Sequence, residues 1–345
     1  MYVYVYTHTY IIRQYKTSYQ SIMTKIHVIL LKLFALPAVK YNKMCIDRHS
    51  IHAFDISSKR FNDENNKMRE SIVGAIINNK LPNDYFIMYK WHRMKRSIDA
   101  YLHRLLDVPF LHVECKHMGG RKYNYDFDVL FHVSQSNEKE RVITRHVELK
   151  FNADTVSETP QFVSPMKPSQ YLSQSYEEYF YDTHLETILS STPQQQQKPP
   201  RDIYLSQIHS TCPPCMKPFQ DMYYSGCPGS SRFSKSETDI AFYNLCKSVS
   251  KDSIEMFIES TDIDIELLST YLRNSQQDKM YMLYSTQHNR FVFQSEDVDN
   301  FTITSVVKNA KKSRYECITK TGKKINVLLR WKNGNGIAFP AFQIS

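Results

Sequence analysis

The sequence predicts an α/β protein, a mixed central sheet flanked by helices and followed by a β-rich carboxy-terminal extension. Three observations carry that expectation. Apolar residues recur at helical spacing through Lys67–Asn79 and Tyr85–Leu106. Period-two alternation then takes over in Tyr123–Phe151. From Lys279 onward, short runs rich in β-branched and aromatic residues (MYMLYS, RFVFQS, FTITSVV, YECITK, INVLLRW) follow one another. With 345 residues, 41% of them hydrophobic, the chain has ample material for a buried core.

The elements follow in order. Lys67–Asn79 sets Met68, Ile72, Val73, Ile76 and Ile77 on one stripe, with Glu70 beside it. In Tyr85–Leu106, Trp91, Met94, Ile98, Leu102 and Leu105 recur every three or four residues, and Pro109 ends the helix. Phe110–Lys116 suits a strand, and Gly119-Gly120 turns the chain into YNYDFDVLFHV. There Asp126, Asp128 and Leu130 share one face, opposite Phe127, Val129 and Phe131. After the charged, apolar-free SQSNEKER comes VITRHVELKF, with His146, Glu148 and Lys150 on one face and Val147, Leu149 and Phe151 on the other. The pair predicts a hairpin with a long loop. Pro168–Leu189 predicts a helix, giving the order helix, strand, strand, strand, helix.

Composition then divides the chain: a basic tail over 1–43, a core over 44–189, a linker and cysteine-containing loop over 190–236, and a helical then β-rich region over 237–345. Ser190–Arg201 (SSTPQQQQKPPR) is linker-like, His209–Ser234 loop-like, and Glu237–Ser275 helical.

The net charge of +9 is unevenly spread. Residues 1–43 hold six Lys/Arg and no acid, so the remainder carries 38 bases against 35 acids. Overall basicity therefore says little about partners, and local clusters say more. Tyr85–Asn124, which includes Arg121 and Lys122, has eight Lys/Arg against three acids, and Lys308–Lys332 has nine against one. Each run is either a solvated face or a contact for a polyanion. Seven cysteines without regular spacing make no disulfide framework and point to a reducing intracellular compartment, nucleus or cytoplasm. Ile26–Val39 is apolar but short, and Lys32 and Pro37 interrupt it, so no membrane span is expected. The acid-free amino terminus resembles an organellar presequence, and Met44 is an alternative start.

The acids of the hairpin carry the chemistry. Hydrolysis of a phosphodiester needs charge neutralised at phosphorus and a hydroxide generated near neutral pH, which a Mg²⁺ (or Mn²⁺) on a few carboxylates supplies. A lysine two residues from a strand carboxylate stands beside it on the same face. Asp128-Val-Leu-Phe, followed twenty residues on by Glu148-Leu149-Lys150, resembles the PD-(D/E)XK nuclease superfamily, the restriction-endonuclease-like fold. The element order resembles that family's core as well. The resemblance spans roughly Lys67–Leu189 and implies a Mg²⁺-dependent DNA endonuclease. Its implied metal ligands are Asp128 or Asp126 and Glu148, with Lys150 catalytic. Asp128 is favoured over Asp126 by the apolar run after it. No proline precedes either aspartate, and the helix glutamine–tyrosine signature of the RecB-like branch is not cleanly present. Glu70 is either a solvated helix edge or the helix-borne acid that some members add. Many restriction-like nucleases cut both strands as dimers, so a homodimer is an open expectation.

Two further groups stand out. In LLRWKNGNG, Arg330, Lys332 and Asn333 converge as phosphate contacts, or else the segment closes a β-subdomain over Trp331 and Phe339. His209, Cys212, Cys215 and Cys227 have donors for a structural Zn²⁺, although a second tight pair is missing.

Overall fold

The computed structural model describes Met23 and residues 36–56, 62–118, 123–134, 140–159, 161–163, 167–192, 196–210, 214–230 and 232–345. In chain order the elements are β1 (Val39–Tyr41), β2 (Met44–Ile46), α1 (Asn62–Ile77), α2 (Tyr89–Leu105), β3 (His112–His117), β4 (Phe127–Ser134), β5 (Glu140–Phe151) and β6 (Gln161–Phe162). Helices α3 (Tyr176–Thr183), α4 (Leu185–Leu189), α5 (Arg201–Gln207), α6 (Lys217–Gly226), α7 (Glu237–Ser260) and α8 (Ile265–Gln276) follow. The chain closes with β7 (Lys279–Ser285), β8 (Arg290–Ser295), β9 (Ile303–Asn309), β10 (Arg314–Thr319), β11 (Lys324–Trp331) and β12 (Pro340–Ile344).

The first sheet has the order β3-β4-β5-β7-β8 and is mixed: β3, β4 and β5 form an antiparallel meander, β7 runs parallel to β5, and β8 returns antiparallel. The alternation expected in the hairpin is present, with Phe127, Val129, Phe131 and Val133 buried and the residues between them less so. Those side chains, with Val147, Met282, Tyr284 and Phe291, pack on Ile72, Val73 and Ile76 of α1 and on Trp91, Met94, Ile98 and Leu102 of α2. The mixed α/β class with a carboxy-terminal antiparallel sheet is thus as expected.

Its boundaries differ from those expected. The first sheet is not confined to 44–189, because β7 and β8 enter it from the carboxy-terminal β-rich run. Only β9–β12, joined by β6, make the second, wholly antiparallel sheet, in the order β6-β12-β11-β10-β9. Residues 36–43 are not a separate tail either. A two-residue turn with positive φ at both Asn42 and Lys43, the type I′ pattern, joins β1 to β2. The Tyr85 hydroxyl donates to the Pro37 carbonyl (2.8 Å), and Asn78 donates to the Tyr41 hydroxyl (2.6 Å).

The second unit explains three more differences. The single helix expected over Pro168–Leu189 is broken, because Leu172 bridges Ile263 in extended form and Ser175 starts α3 by accepting from the Glu178 amide. The helix expected over Glu237–Ser275 stops at Ser260, and Asp264 caps α8 through the Leu267 amide (2.9 Å). Within 190–236, α5 and α6 replace a loop, α6 burying Phe219 and Tyr223 against Phe242 and Cys246. Trp331 lies in the same core and donates to the Tyr176 hydroxyl (3.1 Å), itself bonded to Ser253 (2.9 Å). Gly336 has φ +77°, and a Cβ there would stand 2.7 Å from the Phe180 ring, so both conformation and close approach require glycine. Among the described residues no helix is long and apolar enough to cross a membrane, and six cysteines are free.

Candidate active site

The site forms where β4 begins and β5 ends. The β4–β5 register sets Phe127 opposite Val147 and Asp128 opposite His146, so the residue before β4, Asp126, falls beside Glu148. The Asp126 amide donates to the Val147 carbonyl (3.0 Å), and its carboxylate accepts from the Leu149 amide (2.8 Å). Glu148 is enclosed by two ammonium groups. One oxygen contacts Lys150, and the other accepts from Lys279 at the start of β7 (2.5 Å). Lys279 also donates to the Asn124 carbonyl (3.0 Å), tying β7 to the mouth of the hairpin.

Charges here shift one another. Burial raises the Asp126 carboxyl to about 6, with Glu148 adding to the rise and the Leu149 amide, Lys150 and Lys279 opposing it. Glu70, on α1, is pushed up to about 7 by burial and then by Asp126. Burial also works against the ionised form of Glu148, but Lys150 and Lys279 more than reverse this and hold it below the ordinary carboxylate range. Burial lowers Lys279, opposed by Glu148. Three carboxyl groups therefore face two ammonium groups in a largely buried setting. Two of the acids are destabilised as anions, an environment that favours an added cation.

Asp126, Glu148 and Lys150 are brought together, and Asp126 rather than Asp128 is the aspartate beside Glu148. Asp128 instead pairs with His146 (2.7 Å), on which the Tyr125 ring stacks at 4.5 Å between centroids. Tyr125 is raised to about 12 by burial and by Asp128. Glu70 and Lys279 complete the cluster, Glu70 facing it rather than a solvated helix edge. The trio Glu70, Asp126 and Glu148 does not converge on one point. Among the described residues the only His/Cys/Asp/Glu trio whose ligand atoms all lie within 4.8 Å of one another is His112, Glu114 and His132. Mg²⁺ asks less of the protein, since one or two carboxylates with waters suffice, and Asp126 and Glu148 fit that donor set.

The other candidates are scattered. Arg121, Lys122, the Gly119-Gly120 turn, the loop 135–139 and Cys212 lie outside the described residues. Arg330 lies in the second sheet and donates to Gln343 on β12 (2.7 Å), while Lys332 and Asn333 are exposed just after β11. His209 is held by the Glu177 carboxylate (3.0 Å), Cys215 is exposed, and Cys227 hydrogen-bonds Tyr243. Comparison with protein-family models, curated proteins and solved structures returns no match for this chain.

Proposed function

We propose that the first sheet is a restriction-endonuclease-like core and that the chain is a Mg²⁺-dependent nuclease acting on DNA. The observation that carries this reading is that Asp126, Glu148 and Lys150 lie side by side at one end of the hairpin, with Glu70 on α1 near enough to Asp126 to be raised by its charge. The strand order supports it too, a three-stranded antiparallel meander joined to a parallel fourth strand. Asp126 and Glu148 would hold the ion. Mg²⁺ (or Mn²⁺), when bound, supplies charge neutralisation at the scissile phosphate and acidifies a water. Lys150, beside Glu148, would hydrogen-bond the attacking water and stabilise negative charge as it builds on phosphate oxygen. Lys279 fixes the second oxygen of Glu148 and so its orientation. Glu70, raised to about 7 by burial and by Asp126, would be the group of the cluster able to hold a proton near neutral pH.

A cleft of about 590 Å³ along α2 supports the nucleic-acid partner. Arg93, Arg96, Arg104 and Arg290 line it with His92 and His288, and among the described residues no acid does. Phosphates running along it would displace counterions. Replacing Arg96 and Arg104 together by alanine is expected to lower the slope of log affinity against log salt by about 2 in a DNA-binding titration. An unchanged slope places the DNA elsewhere.

The test of the site separates the two aspartates. With plasmid DNA and Mg²⁺, Asp126→Asn is expected to cost about 100-fold or more in cleavage rate, as loss of a group acting on the reacting phosphate does. Asp128→Asn, altering the His146 pair, should cost far less. The reverse ranking removes Asp126 from the site. One observation favours a second reading, a nucleic-acid-binding module without catalysis: both oxygens of Glu148 are already engaged by lysines. That reading predicts DNA binding with neither metal dependence nor cleavage.

A further inference from the structure

A separate cluster lies on the less buried face of the β3–β4 pair. The register sets His112 directly opposite His132, and Glu114, two residues along β3, projects from the same face. The Glu114 Oε1 stands 3.9 Å from the His112 Nε2 and 4.0 Å from the His132 Nε2. The two imidazoles stack with centroids 3.7 Å apart and planes 18° apart. One acceptor oxygen thus sits nearly equidistant from two ring nitrogens, with all three ligand atoms inside 4.8 Å.

We propose that His112, Glu114 and His132 bind one Zn²⁺ ion. Tetrahedral zinc with bonds near 2.1 Å has ligand-to-ligand edges of about 3.4 Å, so the two edges from Glu114 need to close by only about half an ångström, and the third starts within 4.8 Å. Paired strands hold the three Cα positions; because an imidazole binds a metal in its ring plane, one ring has to turn out of the stack, and half-exposed His112, beside half-exposed Glu114, has the room to do so. Two imidazole nitrogens with one carboxylate select zinc and its transition-metal neighbours over Mg²⁺ and Ca²⁺, which prefer all-oxygen shells. Three protein ligands leave the fourth position to water or an incoming donor. The ion would also staple edge strand β3 to β4 through side chains, adding to the backbone ladder.

His132 lies six residues along the chain from Asp126, about 20 Å away in extended form, so this site and the carboxylate cluster are distinct. The inference does not rest on the nuclease reading, and each can fail while the other stands.

The test uses the full chain, stripped by chelator and kept in excess Mg²⁺ so that the carboxylate cluster does not compete. Zinc titrated by calorimetry is expected to bind saturably at one equivalent. His112→Ala and Glu114→Gln, both at half-exposed positions and each checked for folding by circular dichroism, should weaken binding by about 10-fold or more. Cys215→Ser, at an exposed position in the cysteine region, should leave zinc affinity unchanged. Cobalt substituted for zinc should give tetrahedral d–d bands with no thiolate charge-transfer band. Unchanged affinity in both variants, absence of saturable binding, or a thiolate band, which would move the ion to the cysteine region near His209, each overturns the proposal.

Discussion

Lys150→Ala is expected to lower Mg²⁺-dependent cleavage of plasmid DNA by about 100-fold or more while leaving the protein folded. The two lysines around Glu148 are not equivalent, which makes this substitution the clean one. Lys279 is almost wholly buried and also holds the Asn124 carbonyl, whereas Lys150 is more open. Removing Lys150 still leaves Glu148 neutralised by Lys279, so the buried charge stays compensated. Glu148→Gln should abolish cleavage as well, but it leaves Lys279 buried without its anion. Breaking a buried pair on one side costs about 3–5 kcal/mol. Its activity therefore has to be read beside a urea midpoint. Wild-type cleavage by Lys150→Ala, with folding verified, would sink the nuclease assignment.

The second large effect is on stability and concerns Glu70. Its carboxyl is raised from 4.5 to about 7 by burial and by Asp126, so the folded state binds this proton more tightly than the unfolded chain does. Stability from that proton is fully present below about pH 4.5 and is lost as pH rises through 7. Asp126, raised to about 6, acts in the same direction over a lower window. For Glu70 the full shift corresponds to at most about 3 kcal/mol. Urea unfolding at pH 5 and pH 8, without added divalent ions, should show Glu70→Gln gaining on the wild type at pH 8 and hardly at all at pH 5. An equal difference at both values would mean that Glu70 ionises freely in the folded protein.

The hairpin carried most of what the sequence could disclose about this site. Strict alternation across Phe127–Phe131 and Val147–Phe151 determines which side chains enter the core, and Glu148 and Lys150 follow by parity. Parity cannot choose between Asp126 and Asp128, since both have the same sense. The choice depends on where β4 starts and which backbone amide each carboxylate meets. Glu70 sits beside an apolar stripe, but its approach to Asp126 depends on how α1 packs on the sheet. Lys279 is remoter still, reaching Glu148 through a parallel pairing that no local pattern announces. Helix α6 was hidden by Pro, Gly and Cys flanks that resemble a loop, although Phe219 and Tyr223 are at helical spacing. His112, Glu114 and His132 look irregular in sequence because two strands share the spacing.

The parallel pairing of β5 with β7 has a consequence for the order in which the protein is made. Residues 152–278, with six α-helices and β6 among those described, separate the two strands. Closing so long an excursion is entropically slow and comes after local pairings such as the β4–β5 hairpin. On the ribosome the meander emerges with one edge of β5 bare until Lys279 arrives. The buried partner of Glu148 is the first residue of that late strand, so no partly synthesised chain carries a finished carboxylate–lysine cluster. If the cluster cuts DNA, the reaction is withheld until the whole sheet has assembled.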